Sequence, residues 1–179
     1  MRLFFALPLP LEVQMQLVAW QRLWSQTVNN VKWVKKDNLH LTLKFLGAVS
    51  PSQLSVVTET AHEALSKHSR FTIYVDKTGV FPHSQRARVL WVGLKDCNGC
   101  LARLQQDLEK CLASVGFPLD SKPFIPHLTL GRLRQPTAVI PPVFPVINEA
   151  VPINNVILYE SILTPGGPLY RTQAIFDLL

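Results

Sequence analysis

The sequence predicts an α+β fold built from two lobes, and three observations lead to that prediction. Hydrophobic residues make up 47% of the 179-residue chain, as is typical of a globular protein. Helical and strand-like hydrophobic patterns alternate in mixed order, which is the arrangement of helices that cover a sheet. The tetrapeptide His-Leu-Thr-Leu occurs twice, at residues 40–43 and 127–130, about half a chain apart. We therefore expect one compact domain over residues 1–179, in which each lobe contributes one copy.

The first half of the chain predicts short strands that alternate with two amphipathic helices. Ser50 and Gln53 flank Pro51 in the pattern of a capping box, so a helix is expected to begin there. The other apolar segments are bounded by prolines, by glycine or by polar turns. In order, we expect strand Arg2–Leu7, helix Leu11–Ser25, strands Val31–Val34 and Leu39–Leu46, a helix from Pro51 to His68, and strand Phe71–Asp76.

The second half predicts one further helix among strands. Leucines at helical spacing indicate the helix, and Gly116-Phe117-Pro118 ends it. The four prolines of Gln135–Pro145 favour a loop or an edge segment there. In order, we expect a loop over Gly79–Arg86, strand Arg88–Leu94, helix Asn98–Val115, the strand His127–Gly131, and closing strands Val151–Leu163 and Tyr170–Leu178.

The repeated tetrapeptide carries the predicted chemistry. Successive side chains of a strand point to opposite faces, so His40 and Thr42 share one face, and His127 and Thr129 share one face in the second copy. Two imidazoles together supply a general acid and a general base near neutral pH. Two hydroxyls supply hydrogen bonds to anionic oxygens. The pattern therefore predicts a phosphodiester site that works without a metal.

A fifth candidate, Arg132, lies close to the second copy. On a flat strand its side chain faces away from His127, but Gly131 permits a bulge that turns the arginine inward. A guanidinium in that place binds phosphate through two hydrogen bonds. The alternative is an ordinary exposed arginine on the surface.

A metal site or a redox site is the alternative to a phosphodiester site that works without a metal. Two histidines lack the third and fourth ligands of a stable zinc site. Cys97 and Cys100 form a C-x-x-C pattern just before a helix, but no second pair exists and the chain has three cysteines in all. We expect reduced thiols at a helix start there, although the strand-to-helix context also suits a redox motif. No cofactor and no metal are therefore expected.

The charge balance favours a polyanionic partner. Lys and Arg number 18 against 12 Asp and Glu, which makes the net charge +6. Such a surface attracts RNA, nucleotides or acidic membranes, although many small soluble proteins are equally basic. The apolar N-terminal run is broken by two prolines and lacks a cleavage site, and no stretch approaches the length of a membrane span. We expect a cytoplasmic protein with no membrane partner.

At these residues the sequence resembles the 2H phosphoesterase superfamily, which is defined by two His-x-Thr-x motifs. Within that superfamily it is similar to the RNA 2′,3′-cyclic phosphodiesterases, also called 2′-5′ RNA ligases. The similarity includes residues 2–7, 38–47, 126–132 and 159–170. It implies a bilobal fold with pseudo-two-fold symmetry, in which two antiparallel sheets line a central cleft and the helices lie outside.

The resemblance also implies an activity and roles for the two histidines. The reaction is metal-independent hydrolysis of a terminal 2′,3′-cyclic phosphate on RNA to a 2′-phosphate. His40 is the implied proton donor to the leaving 3′ oxygen, and His127 is the implied base that activates water. Family members also join tRNA halves through a 2′-5′ bond, and we expect a monomer. Two alternatives stay open: a nucleotide- or RNA-binding module without turnover, and a phosphodiesterase for small cyclic nucleotides.

Overall fold

The computed structural model describes residues 1–143 and 150–179, which form the expected α+β structure. The described residues contain three α-helices: α1 (Leu11–Trp24), α2 (Pro51–Leu65) and α3 (Cys100–Ser114). They also contain nine strands: β1 (Arg2–Pro8), β2 (Val31–Trp33), β3 (His40–Ala48), β4 (Phe71–Phe81), β5 (Ala87–Lys95), β6 (His127–Thr137), β7 (Ala150–Ile153), β8 (Asn155–Thr164) and β9 (Gly167–Asp177).

All nine strands belong to one antiparallel sheet. Its order is β7-β4-β5-β6-β3-β1-β8-β9, and β2 pairs with β6 beside that path. The strands that carry the repeated tetrapeptide, β3 and β6, are neighbours at the centre. Within the described residues they pair only through Leu41 opposite Leu128. The two expected sheets are thus two halves of one sheet, and β3 and β6 diverge on either side of this single pair.

The two halves repeat one structural unit. In the first unit β1 leads through α1 to β3, and in the second β5 leads through α3 to β6. The motif strand pairs antiparallel with the first strand of its own unit in both cases. The helices exchange sides, since α1 contacts β6 and α3 contacts β3. This exchange is consistent with the implied pseudo-two-fold relation, and it packs each motif strand against the helix of the other unit.

The helices turn their predicted apolar faces to the core. In α1 the large side chains of Trp20 and Trp24 are only 3% and 0% exposed. The capping box of α2 is formed as expected. The Ser50 hydroxyl accepts from the backbone N–H of Gln53, and the Gln53 side chain accepts from the backbone N–H of Ser50. Local sequence signals therefore fix where this helix begins.

Two strands, β4 and β6, extend at least five residues further than expected. The predicted loop at Gly79–Arg86 is wrong for its first three residues, because β4 continues to Phe81 and pairs there with β5. Similarly, β6 continues past Gly131 to Thr137, with β2 and β5 as partners. In both cases a neighbouring strand supplies hydrogen bonds that outweigh the local preference of glycine and proline for turns.

The predicted strand Val151–Leu163 is two strands. The strand is interrupted at Asn154, because β7 pairs with β4 in one half of the sheet and β8 pairs with β1 in the other. An uninterrupted apolar run therefore crosses between the two halves, and its local pattern does not show where. Of the predicted loop Gln135–Pro145, residues 144 and 145 lie outside the described part of the chain.

Gly131 allows β2 to lie close to β6. A Cβ atom at this position would lie 2.5 Å from Cγ1 of Val31 and 2.9 Å from a ring carbon of Trp33. We expect Gly131→Ala to lower the free energy of unfolding by about 1–3 kcal/mol, the usual cost of overpacking. Denaturant unfolding measures this change. A loss below about 0.5 kcal/mol, the size of an ordinary surface substitution, would contradict the assigned close packing.

Candidate active site

The predicted motif residues meet at one cavity between β3 and β6. His40, Thr42, His127 and Thr129 all line this cavity, which has a volume of about 300 Å³. The two leucines of each copy are buried on the opposite face of the sheet. The alternation expected of a strand therefore holds in both copies. We name this space the central cavity.

A bulge in β6 brings Arg132 to the same cavity. Trp91 of β5 lies opposite Thr129, whereas the residue before it, Leu90, lies opposite Gly131. One residue of β6 is therefore unpaired, and the alternation of faces shifts by one position. The predicted irregularity at Gly131 is present, and Arg132 lines the central cavity.

β3 has the same irregularity at the equivalent place. Ala6 of β1 lies opposite Thr42, and Phe5 lies opposite Lys44, so one residue of β3 is unpaired. Phe45 is consequently turned to the central cavity, where it is 65% exposed. The site is thus symmetric in its histidines and threonines, but it carries an aromatic ring in one half and a guanidinium in the other.

His40 is held in one tautomer by its backbone. Its Nδ1 lies 2.8 Å from the carbonyl oxygen of Asn38, which can only accept, so Nδ1 carries the proton. Its Nε2 lies 3.0 Å from Oγ1 of Thr42. Burial lowers the pKa of His40 to about 4, although the hydrogen bond to Asn38 acts in the opposite direction. At neutral pH the imidazole is therefore neutral, and Nε2 accepts a hydrogen bond from the threonine.

Aromatic rings supply the low-dielectric surroundings of His40. The ring centroids of Phe4 and Tyr170 lie 5.0 and 5.2 Å from that of His40, and Tyr159 lies 6.5 Å away. Burial raises the pKa of both tyrosines, and the charge of Arg132 partly offsets this rise for Tyr170. Both phenols are therefore neutral near pH 7, and Tyr170 brings its ring to the wall of the central cavity.

His127 has an equivalent setting in the other half. Its Nδ1 lies 2.7 Å from the carbonyl oxygen of Ile125, which again places a proton on Nδ1 of the neutral ring. Edge-on contacts with Phe81 and Trp91 have centroid distances of 5.1 and 6.3 Å. Among the described residues, Nε2 of His127 has no hydrogen-bond partner, so this nitrogen is free to exchange a proton with a ligand.

The electrostatic character of the central cavity is positive. Lys32 and Lys35 line it together with Arg132, and no Asp or Glu of the described residues does. The side-chain hydroxyl and carbonyl groups that line the central cavity belong to uncharged residues. Such a lining favours an anion of phosphate size over a cation.

Comparison with known proteins identifies the family. The family model described as the 2′-5′ RNA ligase superfamily matches residues 9–156. The chain belongs to this superfamily. It is similar to an RNA 2′,3′-cyclic phosphodiesterase of Aeropyrum pernix, with 34% identity over 79% of this chain and 83% of the relative. The Escherichia coli protein of the same name is 33% identical over 94% of this chain and 92% of the relative.

Solved structures of two similar proteins have the same fold. A protein of Thermus thermophilus superposes with a TM-score of 0.88 at 31% identity, covering 99% of this chain and 97% of that chain. Escherichia coli LigT complexed with 3′-AMP superposes with a TM-score of 0.85 at 31% identity and the same coverage. These similarities confirm the predicted fold class over nearly the whole chain.

In this superfamily member, Asn38 contributes to the site in a way that its sequence position did not reveal. Its carbonyl orients His40, and its side-chain Nδ2 donates to the carbonyl oxygen of Pro168 at 2.9 Å. Pro168 lies at the start of β9, beside the β8–β9 turn, and Gly166 and Gly167 also line the central cavity. One residue thus ties the first histidine to the hairpin that forms a wall of the site.

Lys44 is a residue of β3 whose charged side chain is buried on the core side of the strand, and this role too was not predicted. It is 2% exposed, and its Nζ lies 2.6 Å from Oε1 of Glu109, 2.7 Å from Oδ1 of Asp120 and 2.7 Å from the carbonyl oxygen of Pro118. Burial alone lowers the pKa of Lys44, but these partners outweigh burial and raise it. The lysine is therefore charged, and it connects β3 to α3 and to the segment that follows.

The remaining features singled out in the sequence are the cysteines and the apolar segments, and the described residues show where they lie. Within the described ranges, no three His, Cys, Asp or Glu side chains come together as metal ligands. Cys97 and Cys100 are free thiols, and Cys100 is the first residue of α3, with Nη2 of Arg103 lying 3.4 Å from its sulfur. None of the helices described here is both long and apolar enough to cross a membrane.

Proposed function

We propose that this chain hydrolyses terminal 2′,3′-cyclic phosphates of RNA to 2′-phosphates by metal-independent acid–base catalysis. The arrangement that supports this proposal is the central cavity, where two imidazoles, two threonine hydroxyls and Arg132 converge. Relatives that carry the name RNA 2′,3′-cyclic phosphodiesterase cover most of the chain. Cytoplasmic location, a monomeric state and tRNA halves as physiological substrates stay predictions.

In the proposed reaction the two histidines act on opposite sides of the phosphorus. Nε2 of His127 accepts a proton from water, and the water oxygen attacks the phosphorus. The bond from phosphorus to O3′ breaks, and Nε2 of His40 donates a proton to that oxygen. Thr42, Thr129 and Arg132 bind the non-bridging oxygens and stabilise the charge that develops on them.

Substrate binding protonates His40 in this mechanism. In the empty site the imidazole is neutral, because burial holds its pKa near 4. A bound phosphate brings a negative charge next to Nε2. An opposite charge within about 4–6 Å raises the pKa of an imidazole by about 1–3. The proton donor therefore forms mainly when the substrate is present. The carbonyl of Asn38 accepts from Nδ1 in both protonation states.

The titration of His40 tests this coupling. In the free protein we expect the imidazole resonances of His40 to titrate with a midpoint near pH 4, because burial lowers its pKa. With saturating adenosine 2′-monophosphate, the midpoint should rise by about 1–3 pH units. Heteronuclear NMR of the histidine side chains measures both values, with the exposed His62 as an internal reference. An unchanged midpoint in the complex would show that the phosphate does not protonate His40.

Chelation tests the metal-independent mechanism. We expect full turnover of an RNA with a 2′,3′-cyclic end in excess EDTA, because imidazoles and hydroxyls perform each step. The control adds Mg²⁺ or Zn²⁺ back to the treated protein, which should not raise the rate. Loss of activity on chelation and its return with metal would reject the mechanism. Binding of unchanged RNA after long incubation would instead indicate a module without turnover.

A further inference from the structure

A small pocket adjoins the central cavity on the side of the first motif strand. Its volume is about 190 Å³, and it shares Phe45 and Tyr170 with the central cavity. Arg2, Phe4, Gly47 and Ser161 also line it. We name this space the Arg2 pocket. It meets the active site at the two shared aromatic side chains.

Strand alternation places the Arg2 pocket on the same face of the sheet as the motif residues. Arg2 and Phe4 lie two residues apart on β1, so their side chains share a face. The ring centroid of Phe4 lies 5.0 Å from that of His40 and 5.7 Å from that of Phe45. Gly47 leaves the space above β3 open, because a Cβ atom there would have no atom within 4 Å. The Arg2 pocket thus begins one aromatic ring away from the first motif histidine.

The lining of the Arg2 pocket suits a phosphate group that is flanked by nucleosides. Arg2 is exposed, and within the described residues its guanidinium has no hydrogen bond and no salt bridge. No Asp or Glu of this part of the chain lines the pocket, and Ser161 adds a hydroxyl. A guanidinium without a protein partner, set beside aromatic side chains, is a usual combination in sites that bind single-stranded nucleic acid.

The cleft also has a second arm, which lies on the side of His127. This arm is a cavity of about 800 Å³ that shares Thr42 and His127 with the central cavity, and the exposed Arg88 lines it. His40 does not line the second arm. An RNA strand with its cyclic end in the central cavity therefore has two arms available for the nucleotides that precede that end.

The proposed mechanism selects between the two arms. His40 protonates O3′ as the bond to phosphorus breaks, so the terminal ribose lies next to His40. His127 activates water on the opposite side of the phosphorus, which is the side of the second arm. The ring of Phe4 contacts His40 and also lines the Arg2 pocket. The phosphate on the 5′ oxygen of the terminal ribose therefore lies beside the Arg2 pocket.

We propose that the Arg2 pocket binds the nucleotide that immediately precedes the cyclic end, with Arg2 paired to the phosphate between the two nucleotides. This inference rests on the proposed function and gives it a substrate preference, for a cyclic-ended strand of two or more nucleotides over a cyclic mononucleotide. Arg2 contacts only a part of the strand that does not react, so its contact is the same before and during the reaction. Such a contact lowers KM and leaves kcat unchanged.

The test compares three substrates: adenosine 2′,3′-cyclic phosphate, adenylyl-adenosine with a 2′,3′-cyclic end, and that dinucleotide with an uncharged methylphosphonate in place of the internucleotide phosphate. For the natural chain we expect kcat/KM to be about tenfold higher for the charged dinucleotide than for the mononucleotide, the usual size of one charge-assisted contact. Arg2→Gln should raise KM for the charged dinucleotide about tenfold and leave the kinetics of the other two substrates unchanged. The slope of log KM against log salt for the charged dinucleotide should fall by about 0.7.

Two further variants control for net charge and for the direction of the strand. Lys110→Gln removes a positive charge from an exposed residue that lines neither the central cavity, the second arm nor the Arg2 pocket. Arg88→Gln removes an exposed arginine from the second arm. Both variants should hydrolyse all three substrates as the natural chain does.

The outcomes separate this inference from the proposed function. A loss specific to the charged dinucleotide in Arg88→Gln, with none in Arg2→Gln, would show that the strand follows the second arm and would overturn the inference. Equal losses on all three substrates in Arg2→Gln would overturn it too. So would equal kcat/KM for the mononucleotide and the charged dinucleotide in the natural chain, and in that case the proposed function still stands. A chain that hydrolyses none of the three substrates would reject the proposed function and the inference with it.

Discussion

His127→Ala and His40→Ala are each expected to lower turnover of a cyclic-ended RNA by about 10²–10⁴-fold, which is the usual contribution of one positioned acid or base. The physical reason is that each ring supplies one of the two proton transfers. His127 has Nε2 free of protein partners within the described residues, and His40 has Nε2 next to Thr42. Single-turnover assays with an end-labelled oligonucleotide measure the loss of the chemical step.

The control for this prediction is His62→Ala, which removes an exposed imidazole from α2. It should leave turnover unchanged, and circular dichroism should show a native fold for all three variants. The double variant His40→Ala/His127→Ala is expected to lose less than the product of the two single losses, because the histidines act in one concerted step. Either single variant with full activity would remove that histidine from the mechanism.

Lys44→Met should cause the largest loss of stability. Removing one partner of a buried ion pair costs about 3–5 kcal/mol, because the other charge is left without compensation. We expect the lower end of this range, since Asp120 is 55% exposed and regains solvation, whereas Glu109 is 14% exposed and does not. The free energy of unfolding from denaturant titration measures the change.

The matched control replaces a lysine of α3 that is exposed. Lys110→Met should change the free energy of unfolding by less than about 0.5 kcal/mol, as surface substitutions usually do. Adding Glu109→Gln to Lys44→Met should restore part of the stability, since it removes the uncompensated carboxylate. A Lys44→Met protein as stable as the natural chain would show that the buried cation does not stabilise the fold.

The pH dependence of stability gives the same interaction a second test. Burial raises the pKa of Glu109, but Lys44 outweighs burial and holds this pKa below 4.5. A carboxyl group whose pKa is lower in the folded state stabilises the fold at pH values above its unfolded-state pKa. This stabilisation is lost as the pH falls through its folded-state pKa. Between pH 5 and pH 3 we therefore expect a smaller loss of stability in Lys44→Met than in the natural chain. Equal losses would contradict the assigned pairing.

Much of the chemistry could be predicted because it is local. The alternation of side chains along a strand placed His40 and Thr42 on one face before any neighbouring strand was known. The capping signals of α2 and the apolar stripes of the helices were equally local, and the structure confirms them. Even the bulge that turns Arg132 to the central cavity had a local signal, since Gly131 precedes it.

Other parts of the site had no local signal. The bulge in β3 has Lys44 where β6 has glycine, so nothing marked Phe45 as a residue of the cleft. Asn38 and Lys44 act through partners more than 60 residues away, Pro168 in one case and Glu109 and Asp120 in the other. The division of Val151–Leu163 into β7 and β8 likewise depends on which distant strand each part pairs with.

The sequence by itself determined the reacting groups, their pairing within each tetrapeptide and the class of anion that they suit, because those properties belong to side chains and to the period of a strand. Only the tertiary structure decided that the two copies face one cavity, that burial makes His40 neutral in the empty site and that the cleft has a second arm. These properties arise where β3 and β6 diverge from a single pair, and the distance between two strands depends on contacts made by the whole chain.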